Sequence, residues 1–265
     1  DAPEAYECPG QYLFGRQLIA APITEKSQEN GWVTQRVWLP EGRWTDVFTG
    51  DVYLGGGWRE MTRPLDSFPL LAKEGGFLVL DGKPEGNSAA LPKVLKAMVF
   101  SGSGEYALIE DAEGGRAVTS FHSEQRSEAG QTVTIQSEDP CGILPERTLV
   151  LAFRSVMDGE ASVTAENEEI AFRDRQETDY TMISIPGFVS GKTYTIQIRE
   201  TADSLKKRNT AFLRIISEME GENAEREKLY ARLCQARTRE EVDEAVDAFP
   251  GSFLQKKQLR EITLL

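Results

Sequence analysis

Three phrases predict the fold of this chain: QYLFGRQLIAAPIT (residues 11–24), RVWLPEGRWTDVFTGDVYLGGG (residues 36–57) and RPLDSFPLLAKEGGFLVL (residues 63–80). Each joins short apolar or aromatic runs to Gly, Pro or Asp, the residue types that favour turns. This alternation predicts a series of short β-strands over the first eighty residues.

The middle phrase predicts a small antiparallel meander. Residues 37–39 form a strand, 40–42 (Pro-Glu-Gly) a turn, and 44–48 a returning strand, because Pro fixes φ and Gly allows positive φ. A second turn at residues 49–51 leads to a strand at 52–54. In the last phrase, the apolar run at residues 77–80 predicts a strand that is buried on both faces.

The ordered set of phrases resembles the region that follows the catalytic barrel in glycoside hydrolase family 31, which contains α-glucosidases and α-xylosidases. The agreement extends over about seventy residues, which makes it far more specific than any one short motif. The matching residues are Gln11, Tyr12, Phe14, Gly15, Ala21, Pro22, Leu39, Pro40, Gly42, Trp44, Asp46, Thr49, Gly50, Pro64, Leu65, Asp66, Pro69 and Gly75. Trp38, Phe48 and Phe68 keep an apolar or aromatic character with a changed residue type.

The resemblance implies a supporting role and no catalytic group. Family 31 enzymes are retaining glycosidases that use two Asp residues of the barrel, in phrases of the type W-x-D-M-N-E, and this chain contains no such phrase. Asp46 matches a position that is structural in the family. The separated region is expected to expose an apolar surface where the barrel would sit, including Tyr12 and Phe14, and such a surface promotes self-association.

A second β-domain is predicted beyond the Gly- and Pro-containing stretch at residues 81–90. Eight short strand candidates with regular turn signals favour an antiparallel β-sandwich. This region resembles, more weakly, the distal C-terminal β-domain of the same family. Its G-x-Y-x-L-Y-E-D-D-G phrase is matched here by Gly104, Tyr106, Leu108, Glu110, Asp111 and Gly114.

After residue 199 the apolar spacing changes from two to about 3.6 residues, which predicts helices. Asp203 or Ser204 can cap the first helix, and Thr238 with Glu241 forms a capping-box pattern for the third. A fourth helix begins near Ser252 and is expected to present Phe253, Leu259 and Ile262. The family pattern does not include these helices.

The resulting prediction is a mainly β protein with an α-helical C-terminus. It comprises a proximal β-domain at residues 1–81, a distal β-sandwich at 92–200 and a helical bundle at 202–265. Both β-domains are expected to be antiparallel sandwiches. Because the chain starts without Met, a fragment of a longer polypeptide is expected.

Composition argues against several classes of function. The net charge is −13, and the whole excess of acidic over basic residues lies before residue 202. The β-rich part therefore lacks the basic face that nucleic acids require. No apolar run is long enough to span a membrane. A single histidine and three scattered cysteines predict neither a metal site nor disulfides, and no cofactor is implied. With no signal peptide and no N-x-[ST] sequence, a cytoplasmic location fits best.

Two functions remain open. The first is the non-catalytic C-terminal part of an α-glycosidase, whose barrel would hydrolyse α-linked glucosides or xylosides while this chain alone is inactive. The second is a free-standing carbohydrate-binding or protein-interaction module. Four tryptophans lie within the first sixty residues, and Trp58, in a glycine-rich segment, is the best candidate for stacking on a sugar. Trp38 and Trp44 are expected to pack across the predicted hairpin instead.

Overall fold

A computed structural model of the chain describes residues 3–26, 31–84, 90–127 and 129–262. Strands predominate and four helices follow them, which confirms the mainly β fold with a helical C-terminus. The contacts divide the chain into two compact units: Asp1–Lys73 with Asp203–Leu265, and Glu74–Ala202. In the described part of the chain, no helix has the length and apolar character that crossing a membrane requires.

The first unit contains a five-stranded sheet and a two-stranded ribbon. The sheet has the order β1-β2-β7-β4-β5, and the ribbon pairs β3 with β6. A short 3-10 helix at Pro3–Glu7 precedes the strands, which are β1 (Tyr12–Phe14), β2 (Leu18–Ala20), β3 (Trp32–Leu39), β4 (Arg43–Asp46), β5 (Val52–Leu54), β6 (Gly57–Pro64) and β7 (Leu70–Lys73). Apolar side chains of sheet and ribbon share one core that includes Val37, Leu39, Trp44, Met61 and Leu71.

The hairpin predicted around Pro40–Gly42 is wrong, although its strands exist. β3 pairs with β6 over its whole length, whereas β4 pairs with β5 and β7. The Pro-Glu-Gly turn therefore carries the chain from the ribbon into the five-stranded sheet. For this reason Trp38 faces Trp58 across the ribbon instead of Trp44. The second turn behaves as predicted, since Thr45 pairs with Val52.

The second unit is a sandwich of two sheets, with the orders β10-β11-β12-β18-β14-β15 and β16-β17-β13-β9-β8. Its strands are β8 (Phe77–Asp81), β9 (Val94–Val99), β10 (Gly104–Ala112), β11 (Gly115–Gln125), β12 (Gly130–Glu138), β13 (Arg147–Phe153), β14 (Glu160–Ala165), β15 (Glu168–Glu169), β16 (Arg173–Gln176), β17 (Thr181–Phe188) and β18 (Thr193–Arg199). Both sheets contribute to one apolar core. The expectation of purely antiparallel strands is wrong at one place, because β9 and β13 run parallel.

Strand β8 differs from its prediction in burial. Phe77 is buried, but Leu80 is exposed, so the strand is not covered on both faces. β8 pairs with β9 from Phe77↔Val99 to Asp81↔Leu95 and is the edge of the five-stranded sheet. The chain thus enters the second unit before the boundary predicted at residues 81–90. Part of that stretch, residues 85–89, lies outside the described residues.

A buried ion pair joins the two sheets of the second unit. Arg147 of β13 donates from Nη1 and Nη2 to the two carboxylate oxygens of Glu110 on β10, at 2.8 and 2.9 Å. Arg147 also donates to the Thr119 hydroxyl at 3.2 Å, and both charged side chains are almost fully buried. Glu110 belongs to the phrase that resembles the distal domain of the family. In this chain the Glu110 side chain anchors one sheet to the other.

The C-terminal helices are α1 (Ser204–Glu218), α2 (Asn223–Gln235), α3 (Arg239–Asp247) and α4 (Phe253–Ile262). Asp203 caps α1 by accepting from the Lys206 amide, and the predicted capping box of Thr238 and Glu241 is present at α3. Their apolar faces form one core. Phe253 does not join it, contrary to the prediction: as the first residue of α4 its side chain is 69% exposed.

Candidate functional site

Strand β1 is held at the edge of the five-stranded sheet by a side chain that precedes it. The Gln11 amide donates to the Trp38 carbonyl at 2.7 Å and accepts from the Trp38 amide at 2.9 Å. The Gln11 backbone amide donates to the Cys8 carbonyl. Gly15, at φ +68°, then turns the chain into β2. The Q-Y-x-F-G phrase therefore fixes a three-residue strand between an anchor and a turn.

All three side chains of β1 are apolar or aromatic and exposed. Tyr12 is 53% exposed, Leu13 65% and Phe14 57%. Successive side chains of a strand point to opposite faces, so β1 presents large apolar groups on both faces of a sheet edge. Exposed apolar edges promote association with other chains and are usually covered. β1 is therefore the best candidate for a contact surface in the first unit.

More exposed apolar side chains lie at the same end of this sheet. Tyr12 pairs with Ala20, Ala20 with Leu70, and the Val47 amide donates to the Leu70 carbonyl, so one row crosses β1, β2 and β7 and reaches the residue after β4. With strands about 4.8 Å apart, this row is about 14 Å long. Exposed Phe48 extends beyond it and packs edge to face against half-buried Phe68 at 5.5 Å, and Leu65, in the same loop as Phe68, is 76% exposed. We call the set Tyr12, Leu13, Phe14, Phe48, Leu65 and Phe68 the apolar patch.

Sequence reasoning found two members of the apolar patch, Tyr12 and Phe14, and missed the others. Leu13 could have been found, since it lies between them in the same short strand. Phe48 and Phe68 match the family pattern only in their aromatic or apolar character, and they pack against each other in this chain. Leu65 carried no signal of exposure in the sequence.

Trp58, the predicted sugar contact, is half-buried on the ribbon. Its ring packs edge to face against Trp38 at 5.6 Å, and the Arg36 guanidinium lies 3.8 Å from its ring centre. A guanidinium stacked on an indole face is a favourable cation–π contact. A sugar would have to use the opposite face or displace Arg36. Sugar binding at Trp58 stays a prediction.

Asp46 is fully buried and serves the structure. One of its carboxylate oxygens accepts from the Phe48 and Thr49 amides, at 2.8 and 3.0 Å, and shapes the turn between β4 and β5. The other oxygen accepts from Arg63 at 2.8 Å. A glycosidase needs two carboxyl groups that reach a sugar from either side, and this buried, fully bonded carboxylate reaches none. His122 lies exposed on β11, and the described residues contain no cluster of His, Cys, Asp or Glu suited to a metal.

Comparison with known proteins places the first phrases in a family. Residues 1–78 match the family model described as the glycosyl hydrolase family 31 C-terminal domain. The chain is 30% identical over 115 residues to an α-xylosidase of Saccharolobus solfataricus, covering 43% of this chain and 15% of that protein. It is 28% identical over 138 residues to an isomaltosyltransferase of Sporosarcina globispora, covering 49% of this chain and 12% of that protein.

Solved structures with a similar fold include a family 31 enzyme. A family 31 dextranase of Flavobacterium johnsoniae superposes with a TM-score of 0.62 at 20% identity, covering 75% of this chain and 28% of the dextranase. The chain therefore corresponds to a minor part of each of these relatives.

Proposed function

Since residues 1–78 are a family 31 C-terminal domain, we propose that this chain is the non-catalytic C-terminal portion of an α-glycosidase. In this role it supports a catalytic barrel that belongs to the same polypeptide. The barrel would hydrolyse α-linked glucosides or xylosides, and its substrate would be an α-linked oligosaccharide. The family match over residues 1–78, which span β1 to β7, carries the proposal.

The apolar patch supports a barrel-facing role. Its side chains come from β1, from the β4–β5 turn and from the β6–β7 loop. Phe48 and Phe68 lie toward the Tyr12 end of the sheet, and Phe14 lies at the other end of β1. Tyr12, Leu13 and Phe14 are all exposed on a short edge strand, and natural proteins usually cover or blunt such apolar edges. Covering them with the barrel would remove that surface from water, which is favourable.

The polar side chains support the absence of catalysis by this chain. Asp46, which follows Trp44 in the middle phrase, is buried and inaccessible to a substrate. Two of the buried ion pairs, Asp46–Arg63 and Glu110–Arg147, hold sheets together. A cytoplasmic setting is part of the proposal, and it is supported by Cys8, Cys141 and Cys234 being thiols and not disulfides.

Two assays on this chain test the proposal. p-Nitrophenyl α-glucoside and α-xyloside measure hydrolysis, and calorimetric titration with malto- and isomalto-oligosaccharides measures binding. We expect neither turnover nor binding. Turnover would overturn the proposal, because it requires a catalytic pair in this chain. Binding without turnover would favour the alternative, a carbohydrate-binding module, and loss of that binding in Trp58→Ala but not in Trp44→Phe would locate the site.

A further inference from the structure

A buried carboxylate helps to attach helix α4 to the strands of the first unit. Glu261 of α4 accepts from the Thr62 amide at 2.6 Å with one oxygen and from Arg63 Nη1 at 3.2 Å with the other. The Glu261 side chain is only 8% exposed. Helix α4 packs against β6 and β3 as well as against α1 and α3. The helices that the family pattern lacks are therefore built into the first unit.

The charges around this attachment do not balance. Arg63 is the shared cation of two carboxylates, because it donates to Asp46 at 2.8 Å and to Glu261 at 3.2 Å. Asp46 accepts three N–H donors in all, from the Phe48 and Thr49 amides and from Arg63. Arg63 also donates to the Tyr53 hydroxyl at 3.0 Å, and burial raises the pKa of Tyr53, which keeps that group neutral. One negative charge is left over if Glu261 is ionised, and an unbalanced buried charge is costly.

The geometry points to proton-linked docking of the C-terminal helix. Helix α4 closes on β6 with Glu261 protonated, and the helical segment acts as a clamp that is tightest at acidic pH and loosens as the pH rises to neutrality. The proton comes from solvent and returns to it when the helix detaches.

The titration of Glu261 sets the pH range. Burial raises its pKa to about 7 from an ordinary 4.5, and the attraction of Arg63 offsets this only in part. Between these two values the folded protein holds a proton that the unfolded chain releases. The stability that this proton contributes is complete below pH 4.5 and is lost as the pH rises through 7.

Other charged groups around α4 have partners of their own. The hydrogen bonds to the Glu261 carboxylate come from Thr62 and Arg63. Exposed Glu60 of β6 pairs with Lys257, whose ion pair lowers the pKa of Glu60. Burial raises the pKa of Glu218 on α1. Further pairs on surrounding elements include Arg214–Asp51, Arg239–Asp243, Arg260–Asp243 and Arg260–Asp247.

The experiment follows hydrogen exchange of the α4 amides in the whole chain from pH 6 to pH 8.5, corrected for the intrinsic rates of each amide. We expect protection of α4 to fall by about tenfold or more as the pH rises through 7, since one pKa unit corresponds to a tenfold change in the equilibrium. Glu261→Gln, which is neutral at every pH, is expected to remove this dependence. Glu60→Gln, which breaks the exposed pair between β6 and α4, is expected to keep it.

A second measurement does not depend on how variants fold. The carboxyl carbon resonance of Glu261 in the unaltered chain reports its protonation directly, and a midpoint near 7 supports proton-linked docking. A midpoint below 5 overturns it. Equal pH dependence of α4 protection in the unaltered chain and in Glu261→Gln overturns it as well.

Discussion

Arg63 on β6 donates to the carboxylate of Asp46 on β4 across 2.8 Å, although these strands belong to different sheets. The contact therefore fastens the two-stranded ribbon to the five-stranded sheet at a point where both side chains are inaccessible to water. The second unit repeats the arrangement, with Arg147 and Glu110 joining its two sheets. A buried ion pair breaks only at a high cost, because removing one partner leaves the other charged and unsolvated.

Replacing Arg63 should be among the most damaging changes in the first unit. Arg63→Met fills a similar volume but leaves Asp46 and Glu261 buried without a cation, so we expect a loss of about 3–5 kcal/mol in the free energy of unfolding at pH 8. Urea titration measures it. Arg116→Met removes an exposed partner of Asp111 and should leave stability unchanged within error. Equal effects of the two substitutions would show that the Arg63 cluster is not stabilising.

Removing the other anion of the cluster should change the titration of Glu261. In Asp46→Asn, Arg63 is no longer shared between two carboxylates, so its attraction for Glu261 is undivided. We expect the pKa of Glu261 to fall from about 7 towards its ordinary value. Carbon NMR of the Glu261 carboxyl group over a pH titration measures this pKa. An unchanged pKa would mean that burial alone, without the competing charge of Asp46, sets it.

The buried Arg147–Glu110 pair should be equally important in the second unit. Glu110→Gln keeps the size of the side chain but leaves Arg147 buried and uncompensated, and we expect a loss of about 3 kcal/mol. Glu160→Gln, which removes the partner of Arg199 in an exposed pair, is the matched control and should have almost no effect. Thermal unfolding followed by circular dichroism compares them, and a similar midpoint for both variants would contradict the expectation.

The apolar patch should govern self-association. Tyr12→Ser with Phe14→Ser removes two exposed rings that lie outside the buried core, so the fold should persist while association weakens. Ile109→Ser, an equally exposed apolar residue of β10, is the control and should not change association. Sedimentation velocity over a range of concentrations measures both. Association that is insensitive to the β1 changes would remove the patch as the contact surface.

The sequence predicted most elements, since turn residues and apolar period are local signals. The capping box of α3 and the strands of the first phrases follow from residues a few positions apart. Strand pairing was harder. The Pro40–Gly42 turn is compatible with a hairpin and also with a connection between two sheets. Which of them forms depends on β6, which begins at Gly57 and pairs with β3 along its whole length, so that β4 cannot pair there.

The candidate site shows the same limit. The resemblance identified Tyr12 and Phe14, whereas the extent of the apolar patch depends on how β2, β7 and β4 align in register. The attachment of α4 to β6 could not be predicted from the sequence, because Thr62 and Glu261 are 199 residues apart and neither lies in a motif.

Gly75, the last residue of the family resemblance, offers a test of why that position is glycine. Its φ is +69°, and a Cβ built there would lie 2.3 Å from the Ser103 carbonyl oxygen, so an alanine meets both backbone strain and a backbone clash. Gly191 has a φ of +77° with open space around it, so Gly191→Ala isolates the strain alone. Strain of this kind costs about 1–2 kcal/mol, and we expect Gly75→Ala to lose clearly more than Gly191→Ala in denaturant unfolding. Equal losses would mean that the loop at residues 101–104 moves aside easily, and the glycine would then be explained by its φ alone.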